Sequence, residues 1–130
     1  MNLKKILIVI LIIVEIIFVV SLVISKDTTE TTIENGIATN DVEIEKVTFS
    51  QITKKYENGI TTLSAKMKNN SSKNKSFTVN ITLKDDNGKT VQSLTQVVEN
   101  LEEGKSKILS TGILGNYSNI NDIKFEVVDK

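Results

Sequence analysis

The side chains best able to do chemistry in this sequence are carboxylates grouped around one predicted turn. They stand in the segment Asp85-Asp86-Asn87-Gly88, with Glu99, Glu102 and Glu103 further along the chain. Carboxylate and carbonyl oxygens are the ligands that Ca²⁺ prefers. The EF-hand spacing of acidic residues is not met, however. We favour the alternative, a hairpin turn stabilised by an Asx hydrogen bond, and predict no metal or other cofactor.

The residue types that the chain lacks exclude most other catalytic chemistry. Its 130 residues include no Cys, His, Pro or Trp, and all 16 basic residues are Lys. A thiol nucleophile, a His general base and a zinc-finger site are therefore excluded. Glycoside hydrolysis would need two carboxylates in a cleft, but the acids stand in predicted turns and outward positions. A net charge of zero gives no electrostatic footprint for nucleic acid. We expect a protein that is not an enzyme and binds no nucleic acid.

The N-terminal part contains a candidate transmembrane helix over residues 6–24, which are apolar except for one serine and Glu15. At a rise of 1.5 Å per residue such a helix spans about 28 Å, close to the hydrocarbon core of about 30 Å. Lys4 and Lys5 precede it, so the positive-inside rule places residues 1–5 in the cytoplasm. We expect a single-pass signal anchor in the cell membrane, with the C-terminal domain extracellular.

The alternative for this segment is a cleaved signal peptide, which would release a secreted form. Signal-peptide cores usually run for about 7 to 15 residues and end at a small-x-small site. The apolar run here is longer, and Val23-Ile24-Ser25 is a poor cleavage site. The prediction favours the anchor and leaves cleavage open.

Glu15 is the candidate site residue of the anchor, because it lies at the midpoint of the apolar run. A central acid opposes insertion by about 2.5 to 3.5 kcal/mol, which the apolar neighbours outweigh. An ionisable residue within the membrane is a candidate contact to a partner helix. The alternative is that the acid is only tolerated there, either protonated or snorkelling in a locally thinned bilayer.

Residues 25–41 follow the anchor and are rich in Thr, Glu and Asn, with few apolar residues. A segment of this composition buries little apolar surface. We therefore predict a flexible stalk, and one small extracellular domain over residues 42–130.

The domain is predicted to be all-β, because its apolar residues alternate with polar ones. The alternation is clearest at Phe77, Val79, Ile81 and Leu83, at Leu63, Ala65 and Met67, and at Ile123, Phe125 and Val127. Further strands are expected at residues 90–98 and 105–111. Between Ile44 and Val47 the phase slips once, as a β-bulge would cause.

Turn residues separate these strands. Asn58-Gly59 and Asn87-Gly88 suit tight hairpins, and Gly104 marks another turn. Several short strands at regular spacing, with no amphipathic helix outside the anchor, predict a small antiparallel β-sandwich of immunoglobulin-like type. With no proline available, we expect exposed lysines to protect the sheet edges: Lys66, Lys68, Lys84, Lys105 and Lys107.

One stretch resembles the FxLYD domain of Gram-positive surface proteins. It contains Lys68-Asn69-Asn70-Ser71, Ile81-Thr82-Leu83-Lys84-Asp85, Asn87-Gly88-Lys89 and Leu101-Glu102-Glu103-Gly104. Leu83 and Asp85 match the named motif, whereas Ile81 stands at its Phe and Lys84 at its Tyr. The resemblance implies an immunoglobulin-like sandwich on a membrane-anchored protein, and it transfers no catalytic residue.

These observations lead to one expected function and two alternatives. The first is a non-catalytic surface protein that contacts the lipid bilayer through residues 6–24 and binds a membrane or envelope protein. The alternatives are an extracellular accessory module that binds a small molecule or a metal, and a structural spacer that binds no ligand.

Overall fold

The computed structural model describes residues 29–129, which form an all-β domain of nine strands. The strands are β1 Glu30–Glu34, β2 Ile37–Ala38, β3 Val42–Ile44, β4 Val47–Glu57, β5 Ile60–Asn69, β6 Lys75–Lys84, β7 Thr90–Leu101, β8 Ser106–Leu114 and β9 Asp122–Asp129. Within these residues no helix is long and apolar enough to cross a membrane. The predicted anchor over 6–24, with Glu15, lies outside the described residues.

All strand pairs are antiparallel, in the order β7-β6-β9-β1-β2-β4-β5-β8, with β3 paired to β4. Strand β1 joins two sheets: its residues 30–32 pair with β9, and its residues 33 and 34 pair with β2. The arrangement is therefore barrel-like, with β7 and β8 at the two ends of the strand order.

The core lies between the two sheets. Strand β6 alternates as predicted, with Phe77, Val79, Ile81 and Leu83 buried. The rings of Phe49 on β4 and Phe125 on β9 stack across the interior with their centroids 5.0 Å apart. Stacked aromatic pairs at this distance are favourable beyond the area they bury. The prediction of an all-β antiparallel domain is confirmed.

The flexible stalk predicted over residues 25–41 is wrong from residue 30 onward. Residues 30–34 and 37–38 are strands, and the buried Thr31 and Ile33 alternate with exposed neighbours. Asn35 and Gly36 both have positive φ, as a tight hairpin requires. Strands β1 and β2 are short, and they are stabilised by pairing with β9 and β4 respectively. Few apolar residues are then needed locally, which explains why the composition resembles that of a linker.

The bulge predicted between Ile44 and Val47 is instead a two-residue hairpin. These residues pair with each other, and the intervening Glu45 and Lys46 have φ of 50° and 63°. The bulge of β4 lies at Gln51, which has a φ of 51° within a register shift against β5.

The prediction of edge lysines is correct only in part. Lys66 and Lys68 lie on β5, between β4 and β8, and Lys84 lies on β6, between β7 and β9. Lys107 lies on β8 at the end of the strand order, and Lys105 immediately precedes that strand.

Candidate functional site

The bulge at Gln51 determines which side chains β4 directs to the interior. Before it, the odd-numbered Val47 and Phe49 are buried; after it, the even-numbered Ile52 and Lys54 are buried. An extra residue in one strand reverses its inward and outward alternation. The bulge therefore brings a lysine inward at the end of the core.

Lys54 is only 7% exposed, and its ammonium group donates to the loop between β8 and β9. The acceptors are the carbonyl oxygens of Tyr117 at 2.8 Å, Ser118 at 3.2 Å and Ile120, and Oδ1 of Asn121 at 3.3 Å. Burial lowers the pKa of Lys54 below its ordinary value. Four oxygens surround a group with three N–H donors, so the geometry is that of a cross-link between strand and loop.

Thr61 holds the same loop from β5. Its hydroxyl is fully buried, donates to the carbonyl oxygen of Gly115 at 2.8 Å and accepts from the backbone N–H of Tyr117 at 3.0 Å. Two side chains on neighbouring strands thus fix residues 115–121. The loop is positioned to form a wall of the adjacent cleft.

That cleft has a volume of about 580 Å³ and opens beside Lys54. It lies between the β1–β2 turn, β4 and the fixed loop, and its wall includes Glu34, Asn35, Tyr56, Ser118 and Asn121. Gly36 is needed in this turn, because a Cβ there would meet the backbone oxygen of Lys54 at 3.0 Å. The lining supplies carboxylate, amide and hydroxyl groups, which suit recognition of a small polar molecule.

A second cleft, of about 350 Å³, lies where β1 meets β6 and β9. Its charged residues are Glu30, Lys84, Asp86 and Asp122. Lys84 and Glu30 form an ion pair at 3.0 Å, and the Thr32 hydroxyl lies 3.4 Å from a carboxylate oxygen of Asp122. Among residues 29–129, no group of three or more acidic side chains is arranged to hold a metal ion.

The candidate calcium segment is an Asx turn, as the favoured interpretation predicted. One carboxylate oxygen of Asp85 accepts from the backbone N–H groups of Asn87 and Lys89, both at 2.9 Å. Gly88 has positive φ and donates to the Asp85 carbonyl oxygen. The acids at Glu99, Glu102 and Glu103 lie towards the opposite end of β7, so the structure does not bring the candidate ligands together.

Three buried polar residues that hold loops in place, Lys54, Thr61 and Asn69, were missed from the sequence. Thr61 and Asn69 continue the alternation of Leu63, Ala65 and Met67 at its two ends and could have been placed inside on that signal. The signal for Lys54 is weaker: the three-residue step from Phe49 to Ile52 is a slip of phase, and it moves the inward positions of β4 to even numbers only because of the bulge at Gln51.

Comparison with known proteins adds one structural likeness. No protein-family model and no curated protein matches the chain. The crystal structure of a DUF1425 family member from Shewanella sp. pv-4 aligns over 79% of this chain and 97% of its own, with 14% sequence identity and a TM-score of 0.46.

Proposed function

We propose that this protein is a non-catalytic, single-pass surface protein whose extracellular domain binds a protein or another component of the cell envelope. The observation that carries the proposal is that the buried ammonium group of Lys54 donates its hydrogen bonds to the protein's own backbone. Its donors are committed to the loop over residues 115–121, so the one lysine buried in residues 29–129 serves the fold. Recognition is then left to exposed strand edges and open clefts.

Membrane attachment is part of this proposal and rests on the apolar run over residues 6–24 and the lysines before it. The domain begins at β1, only a few residues after that run. A short connection would hold the domain close to the bilayer surface. Glu15 remains the candidate contact to a partner helix.

We further propose that the domain is a variant of the immunoglobulin-like sandwich. Strands β4-β5-β8 have the order of strands A, B and E in that fold, and β7-β6-β9 have the order of C′, C and F. Along the chain, β4 to β9 then correspond in turn to A, B, C, C′, E and F, which is the sequence in which these strands occur in the immunoglobulin fold. Strand β1 pairs with β9 where strand G would stand, so an N-terminal strand replaces the usual C-terminal one.

The resemblance to the FxLYD domain agrees with the positions of its motif residues. Ile81 and Leu83 are buried on β6, and Asp85 accepts the hydrogen bonds of the following turn. Lys84, at the position of the motif's Tyr, forms an ion pair with Glu30 on β1. A contact between β6 and the N-terminal strand thus stands where the motif has an aromatic residue.

The cleft beside Lys54 favours one alternative, an accessory module that binds a small polar molecule. Its volume is in the range of ligand sites, which are usually about 300 to 1,000 Å³. Tyr56 and Asn35, which both line the cleft, would supply hydrogen bonds.

The first experiment tests location and partner together. Protease added to intact protoplasts should remove the C-terminal domain, and a photo-crosslinking residue at the exposed Ile37 should give one discrete adduct in growing cells. Protection from protease would overturn the extracellular placement. If the domain is cleaved by added protease but gives no adduct at Ile37 or at a second exposed position, Val91, the proposed binding role is contradicted.

The alternative has its own test. Free amino acids and monosaccharides are screened for a shift in the thermal unfolding midpoint, and any shift is measured again in Ser118→Trp, which introduces a large side chain at the cleft wall. A shift that Ser118→Trp abolishes supports ligand binding. A shift that survives the substitution places binding elsewhere.

A further inference from the structure

Strand β8 is an open edge of the sheet with unusual composition. Among the described strands it pairs with β5 alone. Residues 108–114, Ile-Leu-Ser-Thr-Gly-Ile-Leu, contain no charge, and their pairing to β5 has no register shift. Sheet edges are usually protected by charged residues, proline or bulges. This segment has none of them.

The other edge, β7, is protected. Its pairing with β6 shifts register near both ends, and Asn100 at one of these shifts has positive φ. Its core-facing positions include Gln92 and Gln96, which face inward beside Leu94. Bulges and inward polar side chains both discourage pairing with another strand. The contrast singles out β8.

The hydrogen bonds at the ends of β8 identify which of its backbone groups are free. The N–H of Asn69 donates to the oxygen of Lys105, and the N–H of Gly115 donates to the oxygen of Gly59. Hydrogen-bonded residues alternate along an antiparallel pair, so odd-numbered residues of β8 bond to β5. The N–H and C=O groups of the even-numbered residues from Ile108 to Leu114 therefore point to the open edge.

The exposed apolar side chains of β8 belong to this same even-numbered set. Ile108 is 68% exposed and Leu114 is 84% exposed. Ile60 lies directly beside Leu114 on β5 and is 42% exposed. Ile108 and Leu114 lie at equal distances along the strand from Thr111. An antiparallel copy centred on Thr111 would place Ile108 opposite Leu114 of the second copy.

We propose that β8 pairs with β8 of a second copy of this chain, with the two-fold axis at Thr111. Thr111 is odd-numbered, so the two Thr111 residues face each other as a non-hydrogen-bonded pair. Ser110 pairs with Gly112 of the second copy, and Ile108 with Leu114, through the free backbone groups. On the outer face, Ile60 and Leu114 of one copy and Ile108 of the second copy form one apolar row. The two-fold axis generates an identical row from the other three side chains.

This dimer is an isologous assembly, because the same strand serves on both sides. It joins the two copies into one continuous sheet and removes the β8 edges from both. The inference does not require the membrane anchor or an envelope partner, so it stands or falls independently of the proposed function.

Disulfide trapping tests the register, and the chain offers a background free of cysteine. Thr111→Cys places two thiols across the axis, where Cα atoms of a non-hydrogen-bonded pair lie about 4.5 Å apart, within disulfide range. Ser106→Cys is the matched control on the same strand. In the proposed register the two copies of residue 106 are separated by about 33 Å along the strands.

Under mild oxidation of the full-length protein, Thr111→Cys is expected to run as a disulfide dimer and Ser106→Cys as a monomer. Equal cross-linking of both variants would indicate random collision and overturn the proposal. The absence of cross-linking in both would overturn it as well.

A second pair of variants avoids any effect of cysteine. Leu114→Lys alters an exposed side chain and should abolish the dimer in light scattering, whereas Val97→Lys on β7 should leave it intact. A dimer lost only with Val97→Lys would place the interface on β7.

Discussion

The side-chain amide of Asn69 donates a hydrogen bond to the backbone carbonyl oxygen of Leu101 at 2.8 Å, joining the end of β5 to the end of β7 in the facing sheet. The same amide donates to the oxygen of Lys73, and its Oδ1 accepts from the N–H and hydroxyl of Ser71. Asn69 is fully buried. One side chain thus satisfies four polar groups where two sheets and a loop meet.

Asn69→Ala should lower the free energy of unfolding by about 2 to 4 kcal/mol, because the buried carbonyl of Leu101 loses its partner and a cavity remains. Urea unfolding followed by circular dichroism measures the loss. Asn70→Ala is the matched control, since the side chain of this exposed neighbour donates to the Thr48 hydroxyl at the surface, and its loss should change stability by less than about 0.5 kcal/mol. Similar losses in both variants would contradict the role of Asn69.

Lys54→Met should destabilise the domain by about 1 to 3 kcal/mol, because the carbonyl oxygens of the 115–121 loop lose their donor. The loop should also become the first site of limited proteolysis. Lys55→Met, at the exposed next position, removes only a surface ion pair with Glu57 and should have little effect. If the loop stays protease-resistant in Lys54→Met, Thr61 alone is sufficient to hold it.

The stability of the wild-type domain should rise with pH on approach to 10.5, relative to Lys54→Met. Burial lowers the pKa of Lys54 from 10.5, so over the interval below that value the unfolded chain binds more protons than the folded one. The free energy of unfolding then increases with pH. Urea midpoints of the two proteins compared across this interval give the effect. A difference between them that does not depend on pH would contradict the lowered pKa.

The sequence was informative where burial depends on local alternation. Strands β5, β6 and β9 each carry apolar residues at every second position and were located correctly. Strand β1 has only Thr31 and Ile33 to bury, and its five residues are stabilised by β9, which lies about 90 residues away along the chain. Pairing of that kind leaves almost no local signal, although Asn35-Gly36 was a visible hairpin pair.

The candidate site was less predictable than the fold, for a definite reason. Lys54 lies in an alternating segment whose phase is set by Gln51, a residue with no turn preference that nevertheless adopts positive φ. Its partners in the 115–121 loop are more than 60 residues away. The three-residue step from Phe49 to Ile52 indicates the slip of phase, but the loop contact does not follow from residue types. From sequence alone, the lysine is therefore expected to be exposed to solvent.

The hairpin between β3 and β4 should be open to stabilisation, because its residues do not suit its geometry. Glu45 and Lys46 both have positive φ, a conformation that is unfavourable by about 1 to 2 kcal/mol for an ordinary L-residue. The hairpin between β4 and β5 has the same backbone form with Asn58-Gly59, the pair that this turn prefers.

Exchanging the two pairs tests this relationship in both directions. Glu45→Asn with Lys46→Gly should raise the free energy of unfolding by about 1 kcal/mol, and Asn58→Glu with Gly59→Lys should lower it by a similar amount. The first exchange leaves the hydrogen bond from Lys75 in place, because that bond is to the backbone oxygen of Glu45. Since neither turn is buried, urea midpoints should move with no change in the slope of the transition. A loss of stability in the first exchange would show that the side chains of Glu45 or Lys46 contribute more than their backbone conformation costs.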